Sequence, residues 1–268
     1  MLNYLFSKSQ KVISYFYRID DFHPKIDRAP GKLIRLGTNY GGWYFLDRDG
    51  LYGSTVVCIG AGEDISFDLE FIVKYNSRVI IVDPTPRSID HLNAVFARIG
   101  LAPTVSCTSD GNQPPASYDL SKIDREQICF LDKAVWVTEG EVRFFKPKNE
   151  VSVSHSIVNF QNEYNTSPQL PHIVVQTTTM TKLFEDFGLM ETPLLKMDIE
   201  GAELKVLPQM FKENIFPEQI LVEFDGLANR NSKDYSNYTK QDKLMRKYGY
   251  VCLKFDPPSN LLYWRAFK

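Results

Sequence analysis

The stretch Thr55-Val-Val-Cys-Ile-Gly-Ala-Gly-Glu-Asp64 decides the fold. Thr55 to Ile59 is a short apolar and β-branched run with the character of a buried strand. Gly60 and Gly62 then permit a tight turn, and a helical pattern over Phe67 to Tyr75 follows. A glycine turn at the carboxyl end of a strand is where open α/β sheets bind ligands. Outward from it, further strands are predicted at Val79 to Val82, Ala134 to Thr138, Leu194 to Met197, Ile220 to Phe224 and Tyr250 to Phe255. Helical patterns occupy Arg87 to Ile99, Thr181 to Phe187, Ala202 to Phe211 and Lys240 to Tyr248. This alternation predicts an α/β, doubly wound, mostly parallel sheet.

At the margins the pattern changes. Gly140 is expected in a hairpin turn into a strand over Glu141 to Phe145, and Leu261 to Trp264 to add an antiparallel last strand. Residues 1–40 carry no clean strand signal and are expected to form an N-terminal extension packing on a domain of residues 41–268. Lys148 to Pro171, rich in Ser, Asn, Gln and Pro, is expected to be a long loop over the sheet edge. Tyr235 and Tyr238, in an Asn- and Ser-rich stretch, are expected at the surface.

Composition narrows the function classes. A chain of 268 residues with 43% hydrophobic content supports one large domain. A formal net charge of -2, with no stripe of interleaved basic and aromatic residues, argues against a nucleic acid partner. Cys58, Cys107, Cys129 and Cys252 are widely spaced and read as thiols, not zinc ligands or a disulfide frame. No basic leader with an apolar core and no run of membrane-span length stands out, so a cytoplasmic location is expected.

The second predicted strand ends in Asp83, about 20 residues past the glycine turn, where an acidic side chain meets a ribose hydroxyl pair. Nicotinamide and S-adenosylmethionine sites share that feature. Ile65 stands where a dinucleotide fingerprint carries Gly or Ala, and Glu63 and Asp64 would repel a pyrophosphate. Two carboxylates suit a ligand with an ammonium and a sulfonium charge; their blander role is to cap the helix. The cofactor-binding candidates are Gly60, Gly62, Glu63, Asp64, Ser66, Asp83, Pro84 and Thr85.

Transfer to an alcohol oxygen needs a proton acceptor or a metal. The strand ending in Asp198 brings that acid to the sheet's carboxyl edge, with Glu200 and Gly201 just beyond; the next brings Glu223 and Asp225. The catalytic candidates are Asp198, His155 and Glu200. By fold analogy with catechol-type sites, Asp198, Glu223 and His155 are candidate ligands for Mg, Mn or Fe. Against this, Glu223 can simply pair with Lys196, and His155 can be an ordinary polar-loop histidine. Glu203 suits the first turn of a helix. Trp43 is either a stacking surface for a sugar or core, and Lys196 alternates with Asp198 as a second substrate candidate.

Four segments, Cys58-Ile-Gly-Ala-Gly-Glu-Asp-Ile-Ser-Phe-Asp68, Val82-Asp-Pro-Thr-Pro-Arg-Ser-Ile89, Ser154-His-Ser156 and Leu195-Lys-Met-Asp-Ile-Glu-Gly-Ala-Glu203, resemble the FkbM-type methyltransferases in the same order. The likeness runs from about Gly41 to Phe224. It implies a class I (Rossmann-like) fold, S-adenosylmethionine as cofactor, and O-methylation of hydroxyls on sugars, glycans or polyketides; the acceptor expected here is a hydroxyl of a small molecule, sugar, nucleotide sugar or glycan, as in polysaccharide biosynthesis. Cys58 departs from the acid that methyltransferases often carry two residues before the first glycine. The competing classes are an NAD-dependent oxidoreductase, opposed by Ile65 and the acids of the turn, and a non-catalytic binding protein, opposed by the retained Asp198, Glu200 and Glu223.

Overall fold

A computed structural model describes residues 22–149, 153–227 and 235–266. Its centre is a seven-stranded sheet. In chain order the elements are β1 (Leu33–Leu36), β2 (Trp43–Leu46), β3 (Thr55–Ile59), α1 (Ser66–Tyr75), β4 (Arg78–Val82), α2 (Pro86–Phe96), β5 (Ile128–Leu131), β6 (Ala134–Val135) and β7 (Gly140–Phe145). They continue with β8 (His172–Thr178), α3 (Met180–Asp186), β9 (Leu194–Met197), α4 (Glu203–Lys212), β10 (Gln219–Glu223), α5 (Tyr235–Lys247), β11 (Val251–Asp256) and β12 (Asn260–Trp264). The main sheet has the order β11-β12-β10-β9-β3-β4-β5. β5, β4, β3, β9 and β10 pair in parallel, and β12 runs antiparallel to both of its neighbours.

The core follows from the two-residue period of the strands. Val57, Ile59, Ile80 and Val82 face one side, against Leu183 of α3, Leu207 and Met210 of α4 and Met245 of α5. Val56, Cys58, Val79 and Ile81 face the other, against Phe71 and Ile72 of α1 and Leu92 and Val95 of α2. Sheet strands covered on both faces read as continuous apolar runs. α1 stops at Asn76, which takes the left-handed conformation (φ 49°), and α2 starts with Pro86 in its first turn.

Four expectations need correction. First, Ile128–Leu131, not Ala134 to Thr138, is the strand beside β4; Ala134–Val135 belongs to a second sheet of order β6-β8-β7. The four residues of β5, Ile-Cys-Phe-Leu, are all apolar, and so short a run shows no period that tells a strand from another buried segment. Second, β7 does not form a hairpin with β6: it pairs with β8, from Gly140 opposite Thr177 to Phe145 opposite His172. Third, β1 pairs with β2 across position 40, so the segment just before Tyr40 has strand structure. Fourth, Tyr238 is 1% exposed, and its hydroxyl oxygen accepts the Gly226 N–H at 3.0 Å. The side chain of Tyr235, residues 1–21 of the extension and 150–152 of the long loop lie outside the described residues. Among the described residues, no helix is long and apolar enough to cross a membrane.

Candidate active site

The parallel strands end at one edge, and a cavity of about 420 Å³ opens there. Its floor is the turn between β3 and α1. Gly60 takes φ +85°, and a Cβ there would lie 1.8 Å from the carbonyl oxygen of Asp198. Only glycine lets the turn pass the end of β9 so closely.

Asp83 ties this turn down. Its Oδ2 accepts the N–H groups of Ala61 at 2.9 Å and Gly62 at 3.1 Å, with the Ser88 hydroxyl at 2.9 Å. Oδ1 accepts the Thr85 N–H at 2.8 Å, with the Thr85 hydroxyl also at 2.8 Å. A carboxylate has about four acceptor sites, so the polar capacity of Asp83 is turned inward. Pro84 and Thr85 line the same cavity.

The other turn acids have neighbours of their own. Glu63 lines the cavity and forms an ion pair with Arg87 from α2. Asp64 accepts the Thr38 hydroxyl at 2.5 Å and the Ser66 N–H at 3.0 Å, while Ser66 Oγ accepts the Thr38 N–H at 2.8 Å. Asp64 lines the cavity; Ser66 is buried outside its lining and pins the β1–β2 connection onto the start of α1.

At the far end of the cavity the carboxylates gather. Asp198 follows β9, Glu223 ends β10, and Glu200 sits between Asp198 and α4 with φ +57°, a left-handed value that few non-glycine residues adopt. The long loop grips Glu200: Gln161 Nε2 donates to its Oε2 at 3.1 Å, and the Ser156 hydroxyl donates to its carbonyl at 2.7 Å. Ser259 donates to Glu223 Oε1 at 2.7 Å. Glu203 is fully buried and accepts the Ile199 N–H at 2.7 Å, the role of an acid in a helix's first turn.

Desolvation, then the neighbouring negative charge of Glu223, pushes the Asp198 carboxyl up to about 8. Glu200 is pushed up to about 7 by desolvation and by Asp198. Burial raises Glu223, Glu203 and Asp225 as well. Such values suit groups that exchange protons near neutral pH.

Asp198, Glu200 and Asp225 present oxygens within 4.8 Å of one another, the one three-residue group of metal-ligating type found among the described residues. That group shares Asp198 with the expected set, while Glu223 and His155 are not part of it. His155 does line the cavity, tilted on Phe144, with Nδ1 3.0 Å from the Val153 carbonyl. With the proton on Nδ1, its Nε2 is the basic nitrogen. Lys196 donates to the Gly60 carbonyl at 2.9 Å and lies 3.8 Å from Asp68, so it braces the turn instead of pairing with Glu223. Burial opposes the Lys196 charge, yet Asp68 and its other acidic neighbours raise its pKa. Trp43 borders the cavity but is only 5% exposed, 5.9 Å below the Lys196 ammonium. Sequence reasoning missed Ser259, Gln161 and Tyr40; Ser259 and Gln161 carry no local signal because their partners are distant in the chain.

The strand order, the reversed β12, the glycine turn and the acids beyond β9 and β10 together define a class I methyltransferase fold. The methyltransferase FkbM domain profile matches residues 58–252, and the chain belongs to that family. Among solved structures it is similar to a chain of the fibrillarin/Nop5p complex, at 10% identity and a TM-score of 0.41, over 83% of this chain and 76% of that one. No curated protein matches the chain significantly.

Proposed function

We propose that this methyltransferase uses S-adenosylmethionine to methylate a hydroxyl of a sugar, nucleotide sugar or glycan, in the cytoplasm and in the service of polysaccharide biosynthesis. The observation that carries the reading is the single cavity joining the Gly60–Asp64 turn to Asp198, Glu200 and Glu223. Its volume suits a small organic ligand, and its acid-rich lining suits one bearing an ammonium and a sulfonium charge. Bound there, the cofactor would supply an electrophilic methyl group.

The chain's residues do the rest. Gly60 and Gly62 would receive the cofactor on bare backbone, with Asp83 holding the turn in shape and Glu63, Asp64, Pro84 and Thr85 forming the walls. Asp198 is the candidate acceptor of the hydroxyl proton, with Glu200 and Glu223 close enough to share it. His155 is the alternative base on the overhanging loop.

A second reading adds a divalent cation on Asp198, Glu200 and Asp225, a hard-oxygen set that fits Mg or Mn. The buried Asp225 Oδ2 has no hydrogen-bond partner, which favours it. Calorimetry with S-adenosylhomocysteine and with NAD, followed by a methyl-donor consumption assay on sugars, nucleotide sugars and glycans with and without chelator, tests both readings. Binding of NAD but not S-adenosylhomocysteine would reverse the cofactor assignment. Loss of turnover on chelation, with recovery on added Mg or Mn, would select the metal reading.

A further inference from the structure

The aromatic side chain that stands at the mouth of the cavity is Tyr40, not Trp43. Tyr40 borders the cavity and is 66% exposed, whereas Trp43 three residues on is packed away at 5%. The ring is seated, not loose: a Cβ on Gly111 would lie 2.4 Å from its Cε1 and 2.6 Å from its Cδ1. The missing side chain at Gly111, a residue with φ +78°, is what lets the ring lie against that loop. The loop is itself anchored to the cofactor turn by the Gln113 N–H, which donates to the Glu63 carbonyl at 3.0 Å.

The ring lines the same cavity as Asp198, Glu200 and Glu223. Desolvation and the charges of Asp198, Glu223, Glu200 and Asp64 raise the Tyr40 phenol above its usual range. Two of the three Lys and Arg side chains lining this space are engaged. Arg35 donates to the carbonyls of Gly37 and Asn39, Lys196 donates to that of Gly60, and Lys133 adjoins β6. Asp256 adds a further acid to the wall. An anionic ring placed between Tyr40 and these acids would be repelled by those that are ionised, whereas an uncharged one offers an apolar C–H face to the aromatic and hydroxyls to the acids, charged or protonated.

Resting on the methyltransferase reading above, we infer that Tyr40, seated on Gly111, is the platform for the acceptor, and that the acceptor moiety stacked there is an uncharged pyranose. The test uses the whole protein saturated with S-adenosylhomocysteine in chelator-containing buffer. Saturation-transfer NMR would compare the methyl pyranosides of glucose, galactose and mannose with methyl glucuronide, for wild type, Tyr40→Phe and Tyr40→Ala. Expected are binding of at least one neutral pyranoside in preference to the glucuronide, retention in Tyr40→Phe, and about three- to tenfold weaker binding in Tyr40→Ala with unchanged S-adenosylhomocysteine affinity. Undiminished pyranoside binding by Tyr40→Ala, or equal binding of the glucuronide, overturns the inference while leaving the methyltransferase reading intact. A loss of S-adenosylhomocysteine affinity in Tyr40→Ala overturns it too, by making the ring a cofactor contact. If no pyranoside binds although S-adenosylhomocysteine does, the carbohydrate reading and the platform fall together. Failure of S-adenosylhomocysteine to bind wild type sinks the cofactor reading itself.

Discussion

Gly60 and Asp198 touch: the α-carbon of the first faces the carbonyl oxygen of the second so closely that a Cβ would stand 1.8 Å from it. The turn that would receive the cofactor and the strand end that would receive the proton are therefore one packed unit. Gly60→Ala is expected to cost about 3 kcal/mol or more, combining left-handed strain with an overlap that backbone on both sides cannot relieve. Gly62→Ala, with φ +56° but its nearest neighbour a Val153 methyl at 3.6 Å, should cost only about 1 kcal/mol. Urea unfolding of the two variants checks this; equal losses would mean that the contact with Asp198 is not what constrains the turn.

Asp83 should affect stability as well as affinity. Its carboxylate accepts three backbone N–H groups across the glycine turn and the start of α2. Asp83→Ala is expected to lower unfolding free energy by about 2–3 kcal/mol, on the scale of charged hydrogen bonds, and to weaken S-adenosylhomocysteine binding in parallel. A residue that only met ribose would leave the unliganded protein's stability unchanged, so denaturation without ligand separates the two roles.

The rate should follow the proton on the acid cluster. With Asp198 titrating at about 8, kcat is expected to rise with pH and level off above that value. Asp198→Asn should remove about two to four orders of magnitude of kcat, the usual scale of general acid–base catalysis. Stopped-time methyl-transfer assays between pH 6 and 9.5 would check this, and a flat profile in the wild type would move the base elsewhere.

Stability without ligand should run the opposite way. Asp198, Glu200, Glu223, Glu203 and Asp225 all have raised carboxyl pKa values in the fold. A raised carboxyl pKa favours the folded state below the unfolded value of about 4, and that contribution is lost as pH rises through the folded values. For Glu200 and Asp198 the loss begins at the unfolded value of about 4 and is complete once the pH has passed about 7 and about 8. The apo protein should therefore melt lower at pH 8.5 than at pH 5.5, and Asp225→Asn should flatten the difference. Scanning calorimetry across that range is the measurement; a melting temperature that climbs with pH would contradict the cluster's assignment.

The sequence made the parallel sheet legible wherever a strand was buried on both faces. Thr55–Ile59 and Leu194–Met197 appear in the structure with the bounds that their apolar runs predict. It was poorest where strands were half-exposed. Ile128–Leu131 at the sheet edge is wholly apolar but only four residues long, too short to show a period, and His172–Thr178 in the small sheet mixes polar and apolar positions, so neither run stands out. The acids were readable because they follow strands directly. Their fastenings were not: Gln161 to Glu200, Ser259 to Glu223 and Thr38 to Asp64 are contacts across 39, 36 and 26 positions, which no local window contains. Trp43 and Tyr40 show the same limit, since a strand residue and a turn residue three apart differ in exposure only once the strand has a partner.

The place of β12 between β10 and β11 sets a timetable for the newly made chain. Translation delivers Asp198 and Glu223 well before Ser259, whose hydroxyl holds Glu223, and before β12, whose Asn260 pairs with Glu223 itself. Until that reversed strand slots in, β11 lacks the neighbour through which it joins the sheet, and one wall of the acid pocket is missing. A nascent copy without β12 can thus form the glycine turn and fasten Glu200 through Gln161 and Ser156, yet it cannot fasten Glu223, so the acid pocket is completed only once β12 has joined the sheet.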